Sequence, residues 1–383
     1  MMFFIAITAF FIVLFGMPTL IKVAREKGLM DLPEDPRKIH KRAVPTIGGV
    51  MIFAALLINV FFWLAVGPAP ATEVFQAGSA LAVCTVIIFF MGLKDDIIGL
   101  AASKKLLVHL GVGLMLITVG GYKIQTFGGL FGIEELPDAL SLLFSLFVYI
   151  VVVNALNLID GVDGLVGGYS VIAMSAFAFW FLSTGQIADA VLALTMAGAM
   201  LGFLVFNFAP ARIFLGDSGS LLVGLVAYAL ATHTINTPQE LVPDAWVGIS
   251  KPVIAMSILA YPLMDTLRVF CLRAARGISP FSPDRNHLHH RLMMRTRNHA
   301  KTSLFVYIFS ISIVCVAWAR PYIFPQLKEE GMFFGLFALS FLCFLPILIS
   351  TRGQHKLAER RDELLRDAVE KSKQQEAQES AIA

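Results

Sequence analysis

Four polar side chains recur at three-residue intervals in the segment NALNLIDGVDGL, directly after a long apolar run. They are Asn154, Asn157, Asp160 and Asp163. On a straight helix each such step drifts about 60°, so the four side chains would spread over half the circumference. Gly161 and Gly164 let the backbone turn sharply and redirect the later side chains into one pocket. Carboxylates and amides gathered in this way suit a hard, oxygen-ligated cation.

A pair of adjacent carboxylates, Asp95 and Asp96, lies in the segment LKDDIIGL, and Lys105 follows at the start of the next apolar stretch. Adjacent positions on a helix point about 100° apart, so the two carboxylates cannot bind one partner from the same direction. We expect one to face a pocket while the other caps the next helix or orients a neighbour. With Lys105, they suit a metal and phosphate groups.

The segment IFLGDSGS places Asp217 between glycines just before another apolar stretch. Backbone N–H groups at a helix N-terminus bind anions, and a carboxylate there suits Mg²⁺ that bridges phosphates. Phe214, three residues earlier, offers an aromatic face to a base.

A histidine-rich segment, PDRNHLHHRL, contributes Arg285, His287, His289 and His290. Zinc is the obvious competing interpretation. No cysteine is nearby, however, and the carboxylates elsewhere favour a hard ion. Imidazole and guanidinium groups beside a phosphate site would instead bind phosphate oxygens or sugar hydroxyls.

The elements that must position these groups are membrane helices, because the chain is 57% hydrophobic and only 15% charged. Eleven apolar stretches are long enough, or nearly so, to cross a bilayer. They cover residues 3–23, 48–67, 76–93, 105–121, 140–158, 165–183, 188–208, 218–234, 250–272, 303–320 and 332–350. We therefore predict an all-α polytopic membrane protein with one integral-membrane domain, residues 1–350. We expect residues 351–383 to form a cytoplasmic tail, partly an amphipathic surface helix or else disordered.

The distribution of basic residues predicts the orientation. About two dozen of the 30 Lys and Arg residues fall in alternate intervals, namely 24–47, 94–104, 209–217, 273–302 and 351–383. The positive-inside rule puts these intervals in the cytoplasm, with the N-terminus outside and the C-terminus inside. Every candidate active group then lies at the cytoplasmic face. An ion-coupled transporter would more often hold its carboxylates near the membrane midplane, and a scaffold would leave these motifs unexplained.

Taken in order, the motifs resemble those of the polyprenyl-phosphate N-acetylhexosamine-1-phosphate transferases. The matching segments are GLMDLPEDPRKIHKRAVPTIGG, LKDDIIGL, NALNLIDGVDGLVGG, IFLGDSGS, YPLMDTL and GISPFSPDRNHLHHRLM. The resemblance is closest to the branch that transfers GlcNAc-1-phosphate from UDP-GlcNAc to undecaprenyl phosphate and releases UMP. It implies a multi-pass protein of the bacterial inner membrane that starts a cell-surface polysaccharide of O-antigen, enterobacterial common antigen or teichoic-acid type. It implies no nucleic-acid partner and leaves open whether the protein is a homodimer.

The resemblance also implies roles for the nucleotide and metal end of the site. Asp217 would ligate Mg²⁺, or Mn²⁺ in its place, with Asn157 as a second ligand. Phe214 would stack on uracil, and Asp163 would meet the polar edge of the base. Lys105 would hold the diphosphate or the lipid phosphate.

At the sugar and lipid end, the implied contacts are Asp160, Arg285, His287, His289 and His290. Asp95 is the implied base for the lipid phosphate, and Asp96 is its partner. A phosphomonoester with a second pKa of about 6 is already largely dianionic at neutral pH, so Asp95 would chiefly orient the attack. A covalent aspartyl intermediate competes with direct displacement, which we favour. The sugar stays open among UDP-N-acetylhexosamines and UDP-MurNAc-pentapeptide.

Overall fold

The computed structural model describes residues 2–31, 43–66, 71–275, 277 and 286–350 of the chain. The α-helices in these ranges are α1 (Met2–Glu26), α2 (Gly49–Val66), α3 (Ala71–Ile98), α4 (Ala102–Thr118), α5 (Asp138–Leu158), α6 (Leu165–Ser183), α7 (Ile187–Asn207), α8 (Gly216–Ile235), α9 (Lys251–Ile258), α10 (Ala260–Ala275), α11 (Leu288–Thr296), α12 (His299–Ile323) and α13 (Glu329–Ser350). Two short strands, β1 (Met30–Asp31) and β2 (Val44–Pro45), pair antiparallel between α1 and α2. The predicted helical architecture is confirmed for the described residues.

The eleven predicted apolar stretches each coincide with one helix, except residues 250–272, which form the pair α9 and α10. Within the described ranges, seven helices are long and apolar enough to cross a membrane, or eight if the bent pair counts as one span. α4, with 17 residues, falls just short of that length. The helices thus indicate a multi-pass membrane protein, whereas the number eleven and the orientation stay predictions.

The central helix is α8, which is buried along almost its whole length. It packs against α2, α3, α5 and α9. Glycines allow the closest of these contacts, since a Cβ at Gly92 of α3 would lie 2.6 Å from Cα of Ser218. A Cβ at Gly49 of α2 would likewise lie 2.6 Å from Cα of Gly219. Small residues of this kind let helix backbones approach in a membrane, and here they hold the N-terminus of α8 between α2 and α3.

The remaining helices surround this core. α1 packs on α7, α7 on α6, and α12 covers α6 and α9. The outward face of α1 exposes large apolar side chains, among them Phe3 and Phe15. Exposed apolar surface of this extent suits contact with lipid.

A sharp break separates α9 from α10, whose axes differ by 79°. Pro262 lacks the N–H group that would bond to the carbonyl of Ile258 four residues earlier. The hydroxyl of Tyr169 in α6 donates to that carbonyl instead, at 2.9 Å. The carbonyl left free at this kink therefore has a hydrogen-bond partner, and Pro262 accounts for the kink.

Candidate active site

The turn between α5 and α6 is tied to the loop between α7 and α8 by one buried amide. Gly164 adopts a φ of +77°, which favours glycine, and its N–H donates to Oδ1 of Asn207 at 3.0 Å. Nδ2 of Asn207 donates to the carbonyl of Ile213 at 2.9 Å. The turn predicted from Gly161 and Gly164 is thus present, and Asn207 fixes its place against the segment that leads to Asp217.

Asp96 caps the N-terminus of α8. Its carboxylate accepts hydrogen bonds from the backbone N–H groups of Asp217, at 2.7 Å, and Ser218, at 3.0 Å. Gly216 precedes them with a φ of +74°, and a Cβ there would collide with the carbonyl of Thr46 and the carboxylate of Asp96. One member of the adjacent carboxylate pair therefore orders a helix end that would otherwise leave N–H groups unsatisfied.

Asp217 lies at the meeting point of three helices. Its Oδ1 accepts from Nδ2 of Asn157 in α5 at 2.9 Å, and Nδ2 also contacts Oγ of Ser220 at 2.9 Å. Its Oδ2 pairs with the ammonium group of Lys105 in α4. The same ammonium group also donates to Oδ2 of Asp95, the other member of the adjacent carboxylate pair, at 2.7 Å. Four of the predicted residues thus form one connected network.

Two further carboxylates lie in the turn after α5. Burial, then the carboxylates of Asp217 and Asp96, raise the pKa of Asp160 to about 8, although the Gly216 N–H donates to it. Asp163 accepts from the backbone N–H of Ala211 at 3.0 Å. A group of carboxylates this close together favours a bound cation, since each disfavours the charge on the others.

The histidine segment is organised by a carboxylate that is completely buried, Asp265 of α10. Its Oδ1 accepts the backbone N–H of Leu288 at 2.8 Å, and its Oδ2 lies 3.2 Å from Nδ1 of His287. Nδ1 of His289 lies 3.6 Å away, beyond hydrogen-bond distance. Burial lowers the pKa of His289, against the opposing effect of Asp265. A neutral His289 therefore packs at the N-terminus of α11, next to Gly161.

A cleft of about 460 Å³ opens where these segments meet. The predicted residues that line it are Asp96, Asp160, Asp163, Phe214, Asp217 and His290. Asp95, Lys105 and Asn157 adjoin it through Asp217, while His287 and His289 are buried behind it. Arg285 lies outside the described residues. Strand β2 closes one side, because the carbonyl of Pro45 accepts the N–H of Phe214 at 2.7 Å.

Sequence reasoning missed three residues of this site. Asp265 organises the histidines, Asn207 joins two loops, and His299 lines the cleft beside Asp163. A carboxylate inside an apolar stretch is itself a functional signal, so Asp265 could have been found in that way. Nothing in the spacing of Asn207 or His299 singles them out.

The donor set fits a hard divalent cation. Mg²⁺ in phosphate-handling sites is held by one or two protein carboxylates plus substrate oxygens, rather than by an all-protein cage. Asp217 offers such a carboxylate at the cleft, with the amide of Asn157 beside it. In the described ranges no three His, Cys, Asp or Glu side chains form a group that could hold a metal ion by themselves.

Fold and cleft together define a multi-pass helical membrane protein whose polar site lies at one end of its helix bundle. The model of glycosyl transferase family 4 matches residues 79–235, from within α3 to the end of α8. A probable undecaprenyl-phosphate N-acetylglucosaminyl 1-phosphate transferase of Bacillus subtilis is 33% identical over 342 residues, 88% of each chain. The chain belongs to this family, and the resemblance inferred from its motifs is confirmed.

Two other relatives extend the comparison. A decaprenyl-phosphate N-acetylglucosaminephosphotransferase of Mycobacterium tuberculosis is 30% identical over 362 residues, covering 90% of this chain and 88% of its own. An undecaprenyl-phosphate alpha-N-acetylglucosaminyl 1-phosphate transferase of Escherichia coli is 26% identical over 328 residues, 84% of each chain. The named relatives differ in their polyprenyl acceptor and share N-acetylglucosamine.

Proposed function

We propose that the protein transfers GlcNAc-1-phosphate from UDP-GlcNAc to undecaprenyl phosphate, giving undecaprenyl-diphospho-GlcNAc and UMP. The observation that carries this proposal is the network of Lys105, Asn157 and Asp217 at the cleft. It combines a carboxylate for a metal with a cation for phosphate, and the relatives' names specify the sugar phosphate and a lipid carrier. An oxygen of the lipid phosphate attacks the β-phosphorus, and the P–O bond to UMP breaks. One phosphoanhydride replaces another, so we expect UMP to reverse the reaction readily.

Asp217 and Asn157 would hold the Mg²⁺ ion, with Mn²⁺ as the alternative. When bound, the ion would neutralise charge on the diphosphate. Lys105 would pair with phosphate oxygens once its contact with Asp217 is released. Phosphoryl transfer depends mostly on positioning and charge neutralisation, and a fixed set of carboxylate, amide and ammonium groups suits both.

Phe214 would stack on the uracil ring, and Asp163 would meet the polar edge of the base. The sugar and phosphate contacts would come from Asp160, Arg285 and His290, and His287 and His289 would support them from behind the cleft. His290 lines the cleft directly, while the two buried histidines hold α11 in place. Asp95 pairs with Lys105 at 2.7 Å, so it would orient the attacking lipid phosphate through that cation. Asp96, committed to two backbone N–H groups, would support Asp217.

We also propose direct displacement. A covalent intermediate would need a carboxylate that is free to attack phosphorus. Among the described residues of the network, Asp95 and Asp217 share the ammonium of Lys105, and Asp96 caps α8. Inversion of configuration at a chiral β-phosphorus would support direct displacement, and retention would support a covalent step.

The proposed setting is the bacterial inner membrane, with eleven spans, the N-terminus outside, the C-terminus inside and the cleft facing the cytoplasm. Residues 1–350 would form one domain, followed by the tail. The coincidence of every predicted stretch with a helix or the bent pair supports the span count. Single cysteines introduced at Gly121 and Gly99, labelled in intact cells with a membrane-impermeant maleimide, test the orientation. Labelling at Gly121 and not at Gly99 is the expected result.

The function is tested with purified protein in detergent, undecaprenyl phosphate and Mg²⁺, following UMP release and transfer of radiolabel to lipid. We expect label from UDP-GlcNAc, and a loss of at least about a thousandfold in Asp217→Asn because the metal needs the carboxylate charge. Asp244→Asn, exposed in another part of the chain, is the matched control and should keep full activity. Label from another UDP-N-acetylhexosamine or UDP-MurNAc-pentapeptide alone would correct the substrate. Absence of UMP from every donor would contradict the transferase proposal and favour an ion-coupled transporter.

A further inference from the structure

His299 is a cleft residue with no role in the proposed reaction so far. It is the first residue of α12, and it lines the cleft beside Asp163. The backbone N–H of Asp163 donates to its Nδ1 at 3.1 Å, and Oδ1 of Asp163 lies 3.3 Å from the same nitrogen. Separated by 136 residues in sequence, the two residues form one unit in the fold.

The hydrogen bond to Nδ1 determines where the imidazole proton sits. A ring nitrogen that accepts a hydrogen bond carries no proton, so a neutral His299 bears its proton on Nε2. With Nδ1 committed to Asp163, Nε2–H is the donor that the ring can offer to a ligand in the cleft.

Asp163 itself is held rigidly. Its Oδ2 accepts the N–H of Ala211 at 3.0 Å, and its carbonyl accepts the hydroxyl of Ser303 at 2.9 Å. Ser303 and His299 both belong to α12, so this helix fixes the turn from two positions. The two side chains therefore line the cleft in a fixed arrangement, in which the carboxylate of Asp163 is an acceptor and the imidazole of His299 is a donor.

The polar edge of uracil is complementary to that pair, because its N3–H donor is flanked by two carbonyl acceptors. We propose that His299 donates from Nε2 to a uracil carbonyl while Asp163 accepts from N3–H, so that the two residues select uridine nucleotides. The inference rests on the proposed function, which requires a uridine donor. Cytosine would set an N3 acceptor against the carboxylate, and a site built to hydrogen-bond one pattern rejects the other through its unpaired polar groups.

A purely structural role for His299, bracing the turn through Nδ1, makes the opposite predictions for two variants. In His299→Asn the side-chain oxygen can replace Nδ1 as acceptor for the Asp163 N–H, but no group occupies the position of Nε2. In His299→Gln the amide nitrogen reaches the position of Nε2, while the acceptor at Nδ1 is lost. The two substitutions thus separate ligand contact from bracing.

The experiment measures UMP and CMP binding to the full chain in detergent by isothermal titration calorimetry. We expect the wild-type protein to prefer UMP, His299→Asn to bind UMP about tenfold more weakly with a smaller preference over CMP, and His299→Gln to retain most of both. Lys301→Gln, exposed two residues further along α12, is the control. If His299→Asn binds UMP at the wild-type level and His299→Gln binds it more weakly, the inference is overturned while the proposed function stands. A wild-type protein that binds no UMP would overturn the proposed function as well.

Discussion

The ammonium group of Lys105 contacts Oδ2 of Asp217, while the amide of Asn157 donates to Oδ1 of the same carboxylate. The side chain of Lys105 is about one-quarter exposed, so this ion pair is screened only in part by water. A lysine thus neutralises the carboxylate that we assign to the metal. A divalent cation and the ammonium must compete for it.

This competition predicts the effect of Lys105→Gln. The variant should bind Mn²⁺ at least about tenfold more tightly, since a unit charge 4 Å away near a protein surface is worth about 4 kcal/mol before compensation. The same variant should lose most transfer activity, because the phosphate groups lose their cation. Mn²⁺ electron paramagnetic resonance measures the affinity separately from turnover. Lys104→Gln, its exposed neighbour, should change neither, and unaltered Mn²⁺ affinity in Lys105→Gln would rule out the competition.

Gly216 should tolerate no side chain. Gly216→Ala combines a φ of +74° with a collision against Thr46 and Asp96, so we expect loss of activity of at least about a hundredfold through displacement of Asp217. Gly121→Ala is the matched control, because Gly121 has a φ of +75° with no atom near the added Cβ. It should cost about 1 to 2 kcal/mol of stability, because an L-residue adopts this conformation unfavourably, and leave activity intact. An equal loss of activity in the two variants would show that backbone strain, and not the collision, is the cause.

Asp265→Asn should both destabilise the protein and impair catalysis. Asp265 lies 3.4 Å from Nη2 of Arg268, and removing one partner of a buried ion pair costs about 3 kcal/mol. α11 also loses part of its anchor. We expect a lower melting temperature in detergent together with a raised KM for the nucleotide sugar.

A second Asp–His pair provides the control for Asp265→Asn. Asp189 of α7 lies 2.8 Å from Nδ1 of His233, near the C-terminal end of α8 and away from the cleft. Asp189→Asn should lower the melting temperature without raising KM. A raised KM in both variants would mean that Asp265 acts only through global stability.

The helices and their alternation could be predicted from hydropathy, because long apolar stretches must become helices in a bilayer, where every backbone group needs an internal partner. Alternate loops then face the same side. This alternation of loops is enough to predict that Asp95, Asp160 and Asp217 lie at one end of the bundle, where the structure places them. The break after α9 was not predicted, although Pro262 was visible, because a proline permits a kink without determining its angle.

The partner that each site residue binds could not be predicted. Helical geometry showed that Asp95 and Asp96 point apart, yet only packing against α8 decides that Asp96 caps Asp217 and Asp95 pairs with Lys105. Two of the three histidines expected to contact substrate are buried behind the cleft, since Asp265 draws His287 inward.

The sequence by itself determined the family, the helices and the end of the bundle at which the chemistry lies. These follow from residue type and local spacing. The tertiary structure decided which oxygen meets which donor, such as His299 against Asp163 across 136 residues. Such contacts depend on how helices pack and on which glycines let them approach, and spacing along the chain determines neither.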